Sequence, residues 1–117
     1  MYSVEILDHF QHPRNAGDLE APSASVQREN PACGDILKLS LKLEGRRIAD
    51  IRFRAQGCVP AIACGSAITE LAKGKTVEEA RQISREDLLQ KVGGLPDAST
   101  HASHLAMDAL LELLRTF

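Results

Sequence analysis

Hydrophobic residues follow helical spacing at the start of the chain and then begin to alternate with polar ones. The helical spacing predicts a short amphipathic helix over residues 3–10, which a His-Pro-Arg-Asn-Ala-Gly segment at 12–17 ends. Apolar residues at 36–43 approximate a period of two and predict a half-buried strand. A Glu-Gly-Arg turn and a second strand over 48–55 complete a hairpin. The polar segment 22–31 is either a loop or an edge strand.

The second half of the chain has helical patterns throughout. A small, apolar segment with an early proline predicts a helix that starts just after Cys58 and stops at Gly74. Two sequences typical of capping boxes, Thr-Val-Glu-Glu at 76–79 and Ser-Arg-Glu-Asp at 84–87, predict two short helices. After a Gly-Gly-Leu-Pro break, a last amphipathic helix is expected from about Ser99 to the end.

The order of these elements predicts the architecture. Strands grouped before helices give an antiparallel sheet with helices on one face. We therefore expect an α+β fold with a small antiparallel sheet of about three strands. A chain of 117 residues and 12.7 kDa fits one domain over residues 1–117. Aromatic residues make up only 3% of the chain, so the core must be built from aliphatic side chains.

Composition narrows the classes of function. The net charge of −2 lacks the strongly basic footprint of a nucleic-acid-binding protein and gives no electrostatic reason for membrane binding. No apolar run approaches the roughly 20 residues of a membrane span, and the first residues do not form a secretory signal. Three cysteines, an odd and low number, fit a reducing compartment such as the cytoplasm, where thiols are ligands, nucleophiles or core residues.

The first possible site is the sequence Pro-Ala-Cys-Gly-Asp at 31–35. A thiol at Cys33 and a carboxylate at Asp35 are two residues apart, so in extended chain they point to the same side. Gly34 between them lets the backbone approach an ion closely. Taken alone, the pattern favours the simpler interpretation of a turn glycine, a solvated Asp35 and a buried Cys33.

The other two cysteines differ in their positions on the predicted helix. Cys58 lies where a strand meets a helix N-terminus, and the helix dipole stabilises a thiolate there. A metal ligand or nucleophile and a small buried residue are equally good interpretations of Cys58. Cys64 lies six residues later, about 240° around the helix, among small residues. A packed core position is therefore the better interpretation of Cys64.

Histidines occur near both ends of the chain. His101 and His104 are three residues apart at the start of the last helix, so one face could hold both. Histidines at a helix start are often only solvated, and His9 and His12 beside the first helix have the same simple interpretation. A nucleophile–base pair of Cys58 and His101 is conceivable for a hydrolase or transferase, but nothing in the sequence positions the two groups for it.

Taken together, these segments resemble the IscU/NifU family of scaffold proteins, on which iron–sulfur clusters are assembled. The resemblance spans nearly the whole chain in order. It rests on four motifs: Ile6-x-Asp8-His9-Phe10-x-x-Pro13-Arg14-Asn15-x-Gly17, Pro31-Ala32-Cys33-Gly34-Asp35, Phe53-x-x-x-Gly57-Cys58, and Leu95-Pro96 with His101-x-Ser103-x-Leu105-Ala106-x-Asp108-Ala109. The family's fold is an α+β sandwich, which agrees with the pattern of elements.

The resemblance implies a metal site. Carried over position by position, the family's ligands are Cys33, Asp35, Cys58 and His101, whereas the family's third cysteine falls at Ala102. Two thiolates, a carboxylate and an imidazole suit tetrahedral Zn²⁺, and they also resemble the mixed ligands of some [2Fe–2S] clusters. Because a carboxylate is a harder donor than a thiolate, we expect a loosely held cluster. A cluster shared between two chains of a homodimer is one way to supply the missing ligand.

The resemblance also implies partners. An iron–sulfur cluster scaffold or carrier is not an enzyme, receives sulfur from a cysteine desulfurase and passes clusters to apo iron–sulfur acceptor proteins. The sequence at 95–99, Leu-Pro-Asp-Ala-Ser, departs from the family's Leu-Pro-Pro-Val-Lys, which puts recognition by the dedicated Hsp70-type chaperone in doubt. Ala102 leaves two alternatives open, a zinc-bound sulfur acceptor and a regulatory protein-binding module that assembles no cluster.

Overall fold

A computed structural model describes residues 2–32 and 34–117 of the chain. Three strands form one antiparallel sheet in the order β1-β2-β3. Helices precede and follow the sheet, so the predicted α+β class and the three-stranded sheet are confirmed. The elements are α1 (Val4–Gln11), β1 (Ala24–Asn30), β2 (Asp35–Glu44), β3 (Arg47–Gln56), α2 (Val59–Ala72), α3 (Val77–Ala80), α4 (Arg85–Lys91), a 3₁₀ turn (Asp97–Ser99) and α5 (Thr100–Leu114).

Local sequence signals decide most of the element boundaries. Ser3 caps α1 by accepting a hydrogen bond from the Ile6 amide. Both predicted capping boxes are present, at the starts of α3 and α4. The segment 22–31, left open between loop and edge strand, contains edge strand β1. The last helix ends at Leu114, three residues earlier than predicted.

The core lies between one face of the sheet and helices α2 and α5. Alternate residues of β2 and β3 point into it, and α2 and α5 supply the opposing layer. Gly65 of α2 lies against the Phe53 ring of β3, where a Cβ would come within 2.8 Å of the ring. This close approach packs the middle of α2 directly against β3. The large side chains with almost no exposure include Leu37, Leu39, Leu41, Ile48, Ile51, Ile68, Leu110 and Leu113.

Helix α1 is attached to α2 through polar groups as well as apolar ones. His9 is only 4% exposed, and its Nδ1 lies 2.7 Å from the Ser66 hydroxyl. The expectation of a solvated His9 is therefore wrong, because the pairing of α1 with α2 covers the imidazole. His12 is exposed, as expected. The Arg14 amide also donates to Ser66, and the Asn15 side chain donates to Thr69, which holds the segment after α1 against α2.

Candidate functional site

Three separate segments meet at one end of the sheet. Asp35 is the first residue of β2, and Cys58 is the N-cap of α2, two residues after β3 ends. The antiparallel register pairs Ile36 with Gln56, which brings the start of β2 beside the junction of β3 and α2. His101 comes from the first turn of α5, which packs against α2 and β1. The contact of these elements therefore brings residues 23 and 43 positions apart into one site.

The donor atoms of the three side chains converge on one another. Asp35 Oδ2 lies 3.5 Å from Cys58 Sγ and 3.3 Å from His101 Nε2, and Cys58 Sγ lies 3.9 Å from His101 Nε2. One carboxylate oxygen, one sulfur and one nitrogen thus lie within 4.8 Å of one another. Among the described residues, this is the group of three metal-ligating side chains that the fold brings together. The predicted residues Asp35, Cys58 and His101 are therefore adjacent.

The three groups differ in exposure. Asp35 is only 1% exposed, which makes the expectation of a solvated Asp35 wrong. Its Oδ1 accepts a hydrogen bond of 3.0 Å from the Cys58 backbone amide, and this bond restricts the orientation of the carboxylate. The His101 side chain is 29% exposed and borders a surface depression of about 220 Å³ between β1 and α5. A ligand can therefore reach the site from the His101 side.

The environment of Cys58 holds its thiol in the protonated form. Burial raises the pKa of Cys58, and the nearby Asp35 carboxylate raises it further. The Ala61 amide at the start of α2 lowers the pKa, in the direction expected for a helix N-terminus. This lowering of the pKa is smaller than the increase caused by burial. The helix start therefore does not produce the free thiolate that the sequence position of Cys58 led us to expect. A cation bound between Cys58 and Asp35 would reverse this balance.

The orientation of His101 separates a metal site from a nucleophile–base pair. In a catalytic triad, one imidazole nitrogen faces the nucleophile and the other faces the carboxylate. Here the same nitrogen, Nε2, faces both Cys58 Sγ and Asp35 Oδ2. Asp35 therefore does not orient His101 for proton transfer from Cys58. Three different donors directed at a common point instead match the ligands of Zn²⁺ and other transition metals.

The remaining predicted positions have different outcomes. Cys33 lies outside the described residues, while its neighbours Ala32 and Gly34 are exposed. Cys64 is fully buried in the core, as predicted, and burial raises the pKa of its thiol to about 12. Ala102 is 1% exposed and carries no donor atom. His104 is exposed and does not join the three donors, as the simpler interpretation of it held.

One part of the site could not be found by looking for reactive side chains. The Cys58 amide that binds Asp35 Oδ1 is a backbone group, and any residue type except proline supplies such a donor. A separate observation concerns membranes. Within residues 2–32 and 34–117, none of the helices combines the length and apolar character that crossing a bilayer requires.

Comparison with known proteins gives a consistent result. The family model described as the NifU-like N terminal domain matches residues 1–117. The chain is 47% identical over 110 residues to the iron–sulfur cluster assembly scaffold protein IscU 1 of Archaeoglobus fulgidus, covering 94% of this chain and 72% of that relative. It is 38% identical over 120 residues to the IscU scaffold protein of Azotobacter vinelandii, covering 99% of this chain and 93% of the relative.

Solved structures share the fold. The N-terminal part of a NifU-like protein from Brucella abortus superposes with a TM-score of 0.79, at 18% identity, over 97% of this chain and 91% of the other. A crystal structure of a hypothetical protein gives a TM-score of 0.76 at 28% identity, over 95% of this chain and 94% of the other. The family-model match over residues 1–117 and the shared fold lead to one conclusion: the chain belongs to the NifU-like N-terminal domain family, which its motifs resemble.

Proposed function

We propose that this protein is an iron–sulfur cluster assembly scaffold, in which Asp35, Cys58, His101 and Cys33 hold the iron of a [2Fe–2S]-type cluster as cargo. The observation that carries the proposal is the convergence of Asp35 Oδ2, Cys58 Sγ and His101 Nε2 within 4.8 Å. Packing does not explain a nearly buried carboxylate beside a protonated thiol, because burying a charged group costs free energy unless the group is paired. The Cys58 amide already binds Oδ1, and a metal ion would add a partner of opposite charge for Oδ2. The relatives named above are iron–sulfur cluster assembly scaffold proteins, which supports the proposal.

Each donor has a distinct part in holding the cargo. Cys58 must lose its proton to bind iron, so loading releases a proton and is favoured by higher pH. His101 must present the lone pair of Nε2, which requires the neutral imidazole with its proton on Nδ1. Asp35 contributes an oxygen, a harder donor than the other two. We expect this oxygen to make release easier than an all-thiolate site would, which suits a protein that passes its cluster on.

The source of sulfur follows from which thiols are accessible. Ala102 offers no thiol, and Cys64 is enclosed in the core with a strongly raised pKa. Sulfur from a cysteine desulfurase must therefore arrive at Cys33 or Cys58. Cys58 lies beside the partly exposed His101, and an apo acceptor protein would approach from the same side. These steps need reduced thiols, so we place the protein, as a single domain, in a reducing compartment such as the cytoplasm.

A zinc-bound sulfur acceptor is the second candidate, and the donor chemistry itself supports it. Sulfur, nitrogen and carboxylate oxygen at tetrahedral spacing also suit Zn²⁺. The two functions differ in what the site holds after loading. A scaffold takes up iron and inorganic sulfide in equal amounts, whereas a zinc site takes up one metal ion and no sulfide.

Anaerobic reconstitution tests the proposal. The protein is incubated with Fe²⁺, cysteine, a cysteine desulfurase and a dithiol reductant, which supplies the electrons that convert the transferred sulfur to sulfide, and a parallel sample also contains Zn²⁺. Iron, zinc, acid-labile sulfide and the visible absorption spectrum are measured. We expect equal iron and sulfide with charge-transfer bands in the wild type and in Cys64→Ala, and loss of both in Cys58→Ala. The Cys64→Ala variant is the matched control, because it removes a thiol in the same helix that does not face the site. Retention of the cluster by Cys58→Ala would contradict the proposed ligand set, and uptake of zinc alone would favour the sulfur acceptor.

A further inference from the structure

The backbone of Gly57 and Cys58 lies very close to the carboxylate of Asp35, so a side chain at position 57 would clash with that carboxylate. Gly57 has φ +135°, a conformation that residues with a side chain rarely adopt. A Cβ built at position 57 would overlap Asp35 Oδ1 and would lie 3.0 Å from both Cα and Cγ of Asp35. The space beside the carboxylate at position 57 therefore has no room for a methyl group.

The next residue uses that close approach. The Cys58 amide donates a 3.0 Å hydrogen bond to Asp35 Oδ1. Oδ2, the other oxygen, is the one that faces the thiol and the imidazole, at 3.5 and 3.3 Å. The two oxygens of one carboxylate thus have different partners, the backbone on one side and the donor atoms on the other.

We infer that Gly57 is a positioning residue that restricts Asp35 to one-oxygen coordination of the bound metal. Without a side chain at position 57, the Cys58 amide reaches Oδ1 and keeps it occupied, so only Oδ2 remains for the cargo. The inference rests on the proposed function, since it concerns how the same site holds its metal. It adds a residue that donates no ligand atom and yet decides how a ligand binds.

The physical consequence concerns strength of binding. A carboxylate that binds through both oxygens holds a metal more firmly than one that binds through a single oxygen. A ligand fixed in orientation also loses less conformational freedom on binding. Gly57 therefore keeps the Asp35 carboxylate both ready to bind and limited to one bond. Any side chain at position 57 would push the carboxylate away from the thiol and the imidazole.

Gly17 provides a matched control for the backbone strain. Its φ of +125° is close to that of Gly57, but a Cβ at position 17 would meet nothing within 4 Å. Gly17→Ala and Gly57→Ala therefore share the strain of an L-residue at positive φ. Only Gly57→Ala adds the clash with Asp35. A difference between the two variants in metal binding isolates the effect on the carboxylate from the effect on the fold.

The test measures affinity for Co²⁺ as the probe metal, by competition with a chelator, together with the thiolate-to-cobalt absorption band. We expect Gly57→Ala to bind Co²⁺ about 10- to 100-fold more weakly, the range typical for partners that orient a ligand. Gly17→Ala should bind as the wild type does. In an Asp35→Ala background, adding Gly57→Ala should cause no further loss, because both changes act on the same carboxylate. Wild-type affinity in Gly57→Ala, or an undiminished loss in the Asp35→Ala background, would overturn the inference.

Failure of the proposed function would look different from failure of this inference. If the wild type binds no Co²⁺, or Cys58→Ala binds it equally well, then the metal site itself is refuted. If Gly57→Ala fails to fold, the wild type still provides a test through hydrogen exchange of the Cys58 amide. That amide should be protected in the metal-free and Zn²⁺-bound protein and exposed in Asp35→Ala. Loss of its protection when Zn²⁺ binds would show that Oδ1 has turned to the metal, which contradicts the inference.

Discussion

Two polar clusters in this molecule contain similar groups but differ in the partners of their hydrogen-bonding atoms. One is the cluster of Asp35, Cys58 and His101 at the end of the sheet. The other lies between α1 and α2 and joins His9 to Ser66, with Glu70 at 3.8 Å from His9 Nε2. Each cluster combines a histidine, a carboxylate and an S–H or O–H group. Without the family resemblance, the sequence pattern gives both histidines the same simple interpretation of a solvated side chain.

The difference lies in how the hydrogen-bonding capacity of each group is used. The Ser66 hydroxyl accepts from the Arg14 amide and also lies 2.7 Å from His9 Nδ1, within hydrogen-bond distance. His9 Nε2 lies 3.8 Å from Glu70, which also pairs with Lys91 at 3.0 Å. At the end of the sheet, by contrast, the Cys58 thiol and the His101 Nε2 atom both lie near the same carboxylate oxygen, Asp35 Oδ2, at 3.5 and 3.3 Å. We therefore expect the His9 cluster to act mainly in the stability of the fold and the Asp35 cluster mainly in the proposed metal binding.

Replacing His101 and His9 in turn tests whether the two clusters have different roles. His101→Ala removes one of the proposed ligands, so we expect Zn²⁺ affinity to fall by more than about 100-fold, beyond the effect typical of residues that only orient a ligand. The free energy of unfolding of the metal-free protein should change little, since His101 is partly exposed. His104→Ala, on the same helix one turn later, is the control and should bind Zn²⁺ normally. Isothermal titration calorimetry measures both, and equal affinities would remove His101 from the site.

His9→Ala should have the reverse effect. It leaves the buried Ser66 hydroxyl without its imidazole partner and opens a cavity between α1 and α2, so we expect a loss of about 1–3 kcal/mol in the free energy of unfolding. Zn²⁺ affinity should not change, because His9 is not among the converging donors. Urea unfolding of the metal-free protein gives the first quantity. The exposed His12→Ala should stay within about 0.5 kcal/mol of the wild type. A large change of metal affinity in His9→Ala would contradict the separation of the two clusters.

The contrast also explains what could be predicted from the sequence. The β2–β3 hairpin and both capping boxes depend on neighbouring residues, and all were predicted correctly. The burial of His9 depends on contact between α1 and α2, more than fifty residues apart, and the sequence pattern alone gave the wrong answer. The protonated state of Cys58 depends on a competition between burial, which raises the thiol pKa, and the helix start, which lowers it. Which effect is larger follows only from the three-dimensional environment of the thiol. The juxtaposition of Asp35, Cys58 and His101 came from family resemblance, because sequence spacing does not place the three donors together.

The smallest effect concerns pH and sharpens the assignment of His9 as a structural residue. Burial lowers the pKa of His9 below its ordinary value of 6.5, because the charged imidazole is disfavoured between α1 and α2. Below about pH 6.5 the unfolded chain therefore binds a proton that the folded chain resists. The contribution of this group to the free energy of unfolding is complete above that pH and falls as the pH drops towards the lower, folded-state pKa.

We expect the stability lost between pH 7 and pH 5.5 to be smaller than the loss caused by His9→Ala, and to be reduced in His9→Gln, which does not titrate. Urea unfolding at several pH values measures this difference. An identical pH dependence in the wild type and His9→Gln would show that the buried imidazole is not the group that titrates.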